Sequence, residues 1–396
     1  MRIYDPKHET MPADEMSQLQ LERLQALLAR LKRNVRRYRD MLGDVQVESL
    51  SELDKLPVTE GKDLVASFPY GMFALPLQEV MRLQSAVGPD GRQLVVGHTR
   101  NDLTHWARLV GRQLVAAGVR PTDVMQVCFG SGIFEKALGY MLGAEIIEVA
   151  VIPDDPYHIE YQLAMLQNYH TTVLVTSPTN AWELVHLLES QKADPQAFYL
   201  RTVLLSRPIP ADERLEMKRG LWADVRCSFG VPEILDPGLC VECPAGNFHV
   251  NGDHFLVETR NGELLVTTLC REATPLLRYR TNVACEIHRE KCLCGRTGAI
   301  LIPGPRTDGR LRVVEMPLYR AQITDVLSKT RAAGQPFTAD ISDKRIVLSI
   351  QVNSALFADT MRDLVNLKQG IESAFLTRLG IPAEVRFASP DKPSEG

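Results

Sequence analysis

Apolar residues recur at Leu21, Leu24, Leu28, Leu31, Val35 and Tyr38, a spacing that lays one stripe along a helix over residues 19–39. The opposite face carries Arg30, Lys32, Arg33, Arg36, Arg37 and Arg39, and a charge run on an amphipathic helix reads as a solvated face. Between residues 100 and 230, strand-like runs at 123–129, 148–152, 172–176, 202–205 and 225–229 alternate with helical patterns. That alternation predicts a layered α/β domain with a largely parallel sheet. Two further runs, 254–260 and 263–269, flank Asn261-Gly262, the signature of a tight hairpin whose central residues need positive φ. They predict a β-rich subdomain. At 303–310 the pattern breaks into PGPRTDGR, which reads as an exposed linker. The boundary is placed there, giving domains 1–305 and 306–396. Beyond it, a helix near 320–328, two strands flanking 340–344, a long helix at 358–379 and a strand at 383–387 predict a small α+β domain.

The length of 396 residues fits two to three domains, or one large domain with a small appendage, at about 150 residues each. Hydrophobic residues at 45% and charged residues at 24% exclude a disordered or collagen-like chain. With 45 Lys and Arg against 49 Asp and Glu, the net charge is −4. The basic excess that accompanies phosphate-backbone binding is missing, so no nucleic-acid partner is expected. No apolar run reaches membrane-spanning length and the start, MRIYDPKHET, lacks a signal's apolar region, so the expectation is a cytosolic protein with no membrane partner. In that compartment the eight cysteines, six of them between Cys240 and Cys294, read as metal ligands or packing groups instead of a disulfide framework.

Several blocks carry a resemblance: YDPKHETMPADEM followed by LQLERLQALLARL, then SFPYGMFALP, VVGHTRNDLTHWARLVGRQLVAAGVRPTD, DHFLVE, ELLVTTLCREATPLLRYRT and CLCGRT. In that order, from about Tyr4 to the last residue, the chain resembles the phenylacetate–coenzyme A ligase family of the adenylate-forming, AMP-binding superfamily. The resemblance implies a large N-terminal α/β domain and a small mobile C-terminal one. It also implies ATP-dependent adenylation of an aryl or aryl-acetic carboxylate, then transfer to coenzyme A with release of AMP. Such chemistry needs a glycine-rich loop for phosphates, a carboxylate for Mg²⁺, an acid for the ribose hydroxyls and a lysine against the pentavalent charge.

These parts are altered. The family's phosphate loop, Ser-Ser-Gly-Thr-Thr-Gly-Lys, becomes Ala86-Val87-Gly88-Pro89-Asp90-Gly91-Arg92. Gly88 and Gly91 survive and Arg92 keeps a positive charge, but Pro89 has no N–H and Asp90 would repel a phosphate. The favoured reading of Gly88 to Gly91 is a tight turn. The adenine-lining Gly-Ala-Glu-Pro block is replaced by Ser206-Arg207-Pro208-Ile209. Tyr-Gly-x-Ser-Glu becomes Phe229-Gly230-Val231-Pro232-Glu233, in which Glu233 is either the Mg²⁺ carboxylate or an ordinary loop acid. Arg-Tyr-Arg-Thr-x-Asp becomes Arg278-Tyr279-Arg280-Thr281-Asn282-Val283, so valine stands where the ribose-gripping acid belongs. A buried ribose hydroxyl left unpaired costs roughly 1–3 kcal/mol. Glu315 occupies a glycine position that approaches the family's thiol channel, and the family's adenylation lysine would come after Gly396; Lys392 is not its equivalent by register. Electrostatic groups of this type contribute about 2.7–4 kcal/mol each to a transition state. Adenylation is therefore expected to be absent or very slow, with the chain serving as a ligand- or protein-binding module. The alternative is a working ligase that uses Arg92, Glu233, Arg278 and Arg280 with a rearranged ribose contact; a third reading is transfer to an amine in the same cleft.

The family's acid pocket falls at Phe129, Gly130, Gly132 and Phe134, beside Glu135 and Lys136, which replace small family residues; Lys136 pairs either a ligand or Glu135. Cys243 and His249 (C-x5-H) precede the predicted hairpin, and Cys292 and Cys294 (C-x-C) follow it. Three thiolates and an imidazole suit tetrahedral structural Zn²⁺, and family members carrying CxCGRT resemble this chain at all four positions. Cys240 competes as fourth ligand, and four buried small hydrophobes are the competing reading. His98, His105, His158, His170, His254 and His288 stand in no motif and read as structural or surface groups, while Cys128, Cys227, Cys270 and Cys285 read as core. Homodimers are common in the family.

Overall fold

The N-terminal leucine stripe folds as two helices instead of one. After the short α1 (Pro6–Glu9), α2 (Ala13–Asn34) buries Leu24, Leu27, Leu28 and Leu31, and α3 (Arg36–Leu42) buries Tyr38 and Leu42. Val35 between them is extended, with φ −114° and ψ 108°, yet its side chain stays in the core. The basic face is only partly the solvated face expected. Lys32 donates to the Val45 carbonyl at 2.7 Å, Arg30 reaches the Arg271 carbonyl and Arg37 pairs with Asp63. Long aliphatic stems let these charged heads reach back to the fold.

The computed structural model describes residues 2–88, 91–130, 134–313, 315–341, 346–351 and 361–388. The chain divides into two units, residues 1–88 with 93–307 and residues 89–92 with 308–396. In the first, α4 (Gly61–Ala66) precedes an antiparallel hairpin of β1 (Arg82–Val87) and β2 (Gln93–His98). Helix α5 (Arg100–Ala116) starts in a capping box, Thr99 and Asp102 each accepting the other's backbone N–H. There follow β3 (Val124–Cys128), α6 (Phe134–Ile146), β4 (Ala150–Asp154), α7 (Ile159–Asn168), β5 (Val173–Thr176), α8 (Pro178–Ser190), β6 (Thr202–Leu205), α9 (Ala211–Leu221) and β7 (Asp224–Cys227). The strands form the expected parallel sheet, in the order β4-β3-β5-β6-β7. Val173, Leu174, Val175, Val203, Leu204 and Leu205 are buried in it, as strands covered on both faces must be.

The β-rich subdomain comprises β8 (Cys240–Glu242), β9 (Phe248–Val250), β10 (Phe255–Arg260), β11 (Glu263–Thr268), β12 (Tyr279–His288) and β13 (Ile300–Arg306), ordered β10-β11-β12-β13-β9-β8 and antiparallel. Arg260 faces Glu263 across the turn, whose residues Asn261 and Gly262 take φ 53° and 77°, as the sequence demanded. Of the expected linker at 303–310, residues 303–306 are instead the end of β13, while the division between the two units falls at 307/308, inside the segment. Pro303 lies opposite Cys285 and Arg306 opposite Val283, with a register shift in that stretch. A bulged pairing leaves N–H positions unused, and there proline does no harm.

In the second unit, β14 (Leu311–Val313) and β15 (Met316–Leu318) form a hairpin. Helices α10 (Arg320–Ser328) and α11 (Met361–Leu379) accompany a sheet of β16 (Phe337–Ile341), β17 (Ile346–Gln351) and β18 (Ala383–Ala388). Ile323, Val326, Leu348, Ile371, Phe375 and Val385 build its core. Residues 342–345 and 358–360, predicted as a turn and a helix start, lie outside the described residues. Among the described residues, no helix is long and apolar enough to cross a membrane.

Candidate functional site

In the parallel sheet, β4 lies on one side of β3 and β5 on the other. Chain connections therefore reverse direction at β3, and in open α/β sheets ligands bind outside the carboxyl ends of the strands at such a reversal. Phe129 and Gly130 follow β3, Ser206 follows β6, and Phe229 and Gly230 come soon after β7, so the predicted site residues Phe129, Gly130, Phe229 and Gly230 stand at this edge together with Ser206. Gly132 lies outside the described residues, as does the side chain of Phe134. A Cβ on Gly130 would lie 3.4 Å from the Tyr157 hydroxyl. Tyr157, in the β4–α7 loop, is a neighbour of the site that sequence reasoning missed, and nothing in its local sequence announced it.

The ion-pair partner of Lys136 is Asp236 and not Glu135. The lysine ammonium pairs with Asp236 at 2.8 Å and donates to the Ser206 carbonyl at 3.2 Å. Burial, with Asp236 nearby, pushes the Glu135 carboxyl up. Glu233 is 3% exposed; its carbonyl accepts from Arg271 at 3.3 Å, while its Oε2 has no hydrogen-bond partner among the described residues. Gly230 is forced by crowding, because a Cβ there would come within 2.8 Å of the Asp236 Cα and closer still to the Leu235 carbonyl.

The two arginines proposed for the nucleotide are engaged inside their own unit. Arg278, 1% exposed, grips Glu258 through Nε and Nη2 at 3.0 and 2.9 Å, Asp54 at 3.1 Å and the Leu56 carbonyl at 2.6 Å. Desolvated and bidentate, this guanidinium works as a fold staple. Arg280 lies 3.4 Å from Glu60 and 3.6 Å from Glu263. Val283 is buried in β12, 5% exposed, opposite Arg306; Asn282 has φ 54°, and its carbonyl accepts the Thr307 N–H at 2.9 Å. Gly88 belongs to the first unit, Gly91 and Arg92 to the second. Gly91, at φ 77°, leaves no room for a side chain beside Gln322. Glu315, also at positive φ, is buried and meets Arg312 at 3.1 Å. Pro89 and Asp90 lie outside the described residues.

A second constellation sits in the antiparallel sheet. Cys243 follows β8, His249 lies in β9, and Cys292 and Cys294 lie in the β12–β13 connection. Pairing of β13 with β9, His249 opposite Ile300, brings the two pairs together, so that all four ligand atoms lie within 4.8 Å of one another. Thiolates bound tetrahedrally to Zn²⁺ at about 2.3 Å are about 3.8 Å apart; Cys243 and Cys292 stand 3.8 Å apart. Cys294 Sγ is 3.3 Å from His249 Nε2, while His249 Nδ1 faces the Gly298 carbonyl at 3.0 Å. That bond fixes the tautomer with Nε2 free to ligate. The Asn247 amide donates to Cys292 Sγ at 3.3 Å and the Arg296 N–H to Cys294 Sγ at 3.4 Å. Although burial alone would raise it, hydrogen bonds from the Cys294 N–H, Asn247 and His249 pull the Cys292 thiol down to about 6; burial pushes Cys243 up to about 11. The donor set and spacing fit a tetrahedral cation of zinc's size. Cys240, the competing ligand, lies outside the group, fully buried in β8.

His98, His105 and His254 have structural surroundings. They line a cavity of about 30 Å³ with Arg271 and Cys270, where His98 stacks on Trp106 and meets Arg271 at 3.1 Å. Cys128, Cys227 and Cys285 are buried as expected, Cys270 only partly.

No protein-family profile matches the chain. A phenylacetate–coenzyme A ligase of Thermus thermophilus is 34% identical over 349 residues, covering 82% of this chain and 78% of the relative. One of Aromatoleum evansii is 27% identical over 408 residues, covering 96% and 92%. Among solved structures, 2-hydroxyisobutyryl-CoA ligase in complex with 2-HIB-AMP and CoA matches with a TM-score of 0.88 over 99% of this chain and 90% of that one, at 19% identity. An amide bond synthetase from Marinactinospora thermotolerans matches at 0.59 over 79% and 66%, at 13% identity. At such identities the structural likeness is one of fold.

Proposed function

Because this chain belongs to the phenylacetate–coenzyme A ligase family, we propose that it is a member in which ATP-dependent activation of a carboxylate is reduced or lost, acting instead by binding a small carboxylate ligand or a protein partner. The observation that carries this reading is Val283, buried and strand-paired where the family's motif has the ribose-gripping acid. An isopropyl group accepts no hydrogen bond, and a ribose placed against it leaves hydroxyls unpaired. Arg278 supports the same reading, since its donors go to Glu258, Asp54 and Leu56. In this proposal Cys243, His249, Cys292 and Cys294 hold one structural Zn²⁺, which closes the β12–β13 connection onto β9 and takes no part in chemistry.

One observation favours the second reading, an active aryl-carboxylate–CoA ligase with an altered nucleotide site. Among the described residues, one buried oxygen of Glu233 has no hydrogen-bond partner, as a carboxylate awaiting Mg²⁺ would. Isothermal titration with ATP–Mg²⁺, then with an aryl-adenylate sulfamate, separates the two. Absence of heat with both is expected; micromolar binding of either overturns the first reading in favour of the ligase. Metal analysis of the purified chain is expected to give one zinc per chain.

A further inference from the structure

The outer shell of the Cys/His cluster runs directly into the N-terminal segment. Arg296, two residues after Cys294, donates its N–H to that ligand's sulfur at 3.4 Å. Its Nε donates to Glu9 Oε2 at 2.7 Å, with the two side chains 2% and 3% exposed. The other oxygen of Glu9 accepts the backbone N–H groups of Tyr4 and Asp5 at 3.1 and 2.8 Å. Thr297 fastens the same segment again, its N–H to the Glu9 carbonyl at 3.1 Å and its hydroxyl to the Met11 carbonyl at 2.6 Å. Farther along, Asp5 caps α1 and pairs with Arg112 at 2.7 Å, and Arg112 grips Asp253 through two bonds. A cavity of about 10 Å³ lined by Glu9, Arg112, His249, Asp253 and Arg296 lies where these parts meet.

We propose that residues 4–11 are clamped by the metal loop through Arg296 and Glu9, so that metal occupancy and docking of this segment are one linked equilibrium. The inference rests on the zinc reading above and goes beyond it, because it gives the metal a second dependent: the N-terminal strap as well as the β12–β13 connection. The cause is local. Arg296 can hold Glu9 only while the 292–298 turn keeps its shape, and four ligands on one cation fix that turn. Linkage is reciprocal. A strap that docks only on the ordered turn therefore raises metal affinity by the same factor as the metal raises docking. Glu9 and Arg296 are positioning residues in this scheme; neither touches the cation.

The wild-type full-length chain supplies the first test. Its zinc content is measured, the metal is removed with a chelator, and amide hydrogen exchange is compared with that of the zinc-loaded protein. Exchange at residues 4–11 is expected to rise at least tenfold together with that at 292–298, while β3 and β5 keep their protection, and trypsin is expected to cut faster after Lys7. Unchanged protection at 4–11 overturns the proposal, and so does an equal loss across β3 and β5, which would make the metal a support of the whole unit. A chain that takes up no zinc overturns the metal reading itself, a result read from the metal analysis before any exchange is measured. The second test needs no global stability: Arg296→Lys and Glu9→Gln, which alter the clasp between turn and strap and leave the Arg296 N–H to Cys294 in place, are expected to weaken zinc about tenfold in competition with a chromophoric chelator, within the usual range of a coupling free energy. Lys7→Ala, on the same segment, is the control and leaves the affinity unchanged. Wild-type affinity in both Arg296→Lys and Glu9→Gln would also overturn the linkage.

Discussion

The Cys/His cluster and the loops at the carboxyl edge of the parallel sheet belong to one unit but are built to different rules. In the cluster, three of the four ligands have a neighbour that orients them: Gly298 for His249, Asn247 for Cys292, Arg296 for Cys294. Elsewhere in the unit, at the family's motif positions and beside the sheet edge, charged groups are engaged by the fold. Arg278 is locked to Glu258, Lys136 to Asp236, while the buried Oε2 of Glu233 has no hydrogen bond among the described residues. A site whose residues serve one another is organised for a ligand; charges turned toward internal partners are organised for stability. The difference teaches that motif position alone does not assign a role to a charged residue.

The comparison can be broken at four points. Cys294→Ser should release the metal and lower the melting temperature by roughly 10 °C or more, measured by thermal unfolding with metal analysis. Cys240→Ala, in the same sheet but outside the cluster, should keep one metal per chain. Arg278→Met takes the partner from the partly buried Glu258 and should cost about 1.5–3 kcal/mol in a urea titration; a loss below about 1 kcal/mol would remove its part as a staple. Gly230→Ala presses a methyl against the Leu235 carbonyl and Asp236, an overpacking worth about 1–3 kcal/mol, read from the same titration.

The smallest effect concerns pH. Burial above all, with Arg112 and other cations nearby, pushes His254 down to about 3 against the pull of Asp253. The folded chain therefore keeps this imidazole neutral while the unfolded chain protonates it near its ordinary value. Its contribution to stability is complete above that value and falls as pH drops from 6.5 toward 3. Asp253 itself is held at about 2, burial being outweighed by Arg112, so its share is present above its ordinary range and lost only in stronger acid. Between pH 7 and 5.5 the His254 loss should be on the order of 1 kcal/mol, and His254→Gln should flatten it in urea titrations at the two pH values.

Much of the fold was legible because its signals are local. Strand 202–205 and helix 320–328 fall where periodicity put them, and Asn261-Gly262 made the turn that its positive φ requires. Tertiary demand overrode local chemistry at Pro303 and Pro305, which a shifted register accommodates in β13, and at Val35, where the leucine stripe breaks although its periodicity continues. In the cluster, residue type and order sufficed to name the four ligands, but removing Cys240 required knowing that β9 pairs β13. The partners of Lys136 and Arg278 could not have been read from the chain, because Asp236 and Glu258 reach them only through the folded sheet.

The central claim, that carboxylate activation is reduced or lost while the metal staple is kept, meets its most direct test in AMP formation. Zinc-loaded full-length protein is incubated with ATP, Mg²⁺, coenzyme A and phenylacetate or related aryl acids, and AMP is quantified. The account predicts no AMP above the protein-free background with one zinc retained per chain; AMP and acyl-CoA formed in equal amounts over many turnovers would contradict it.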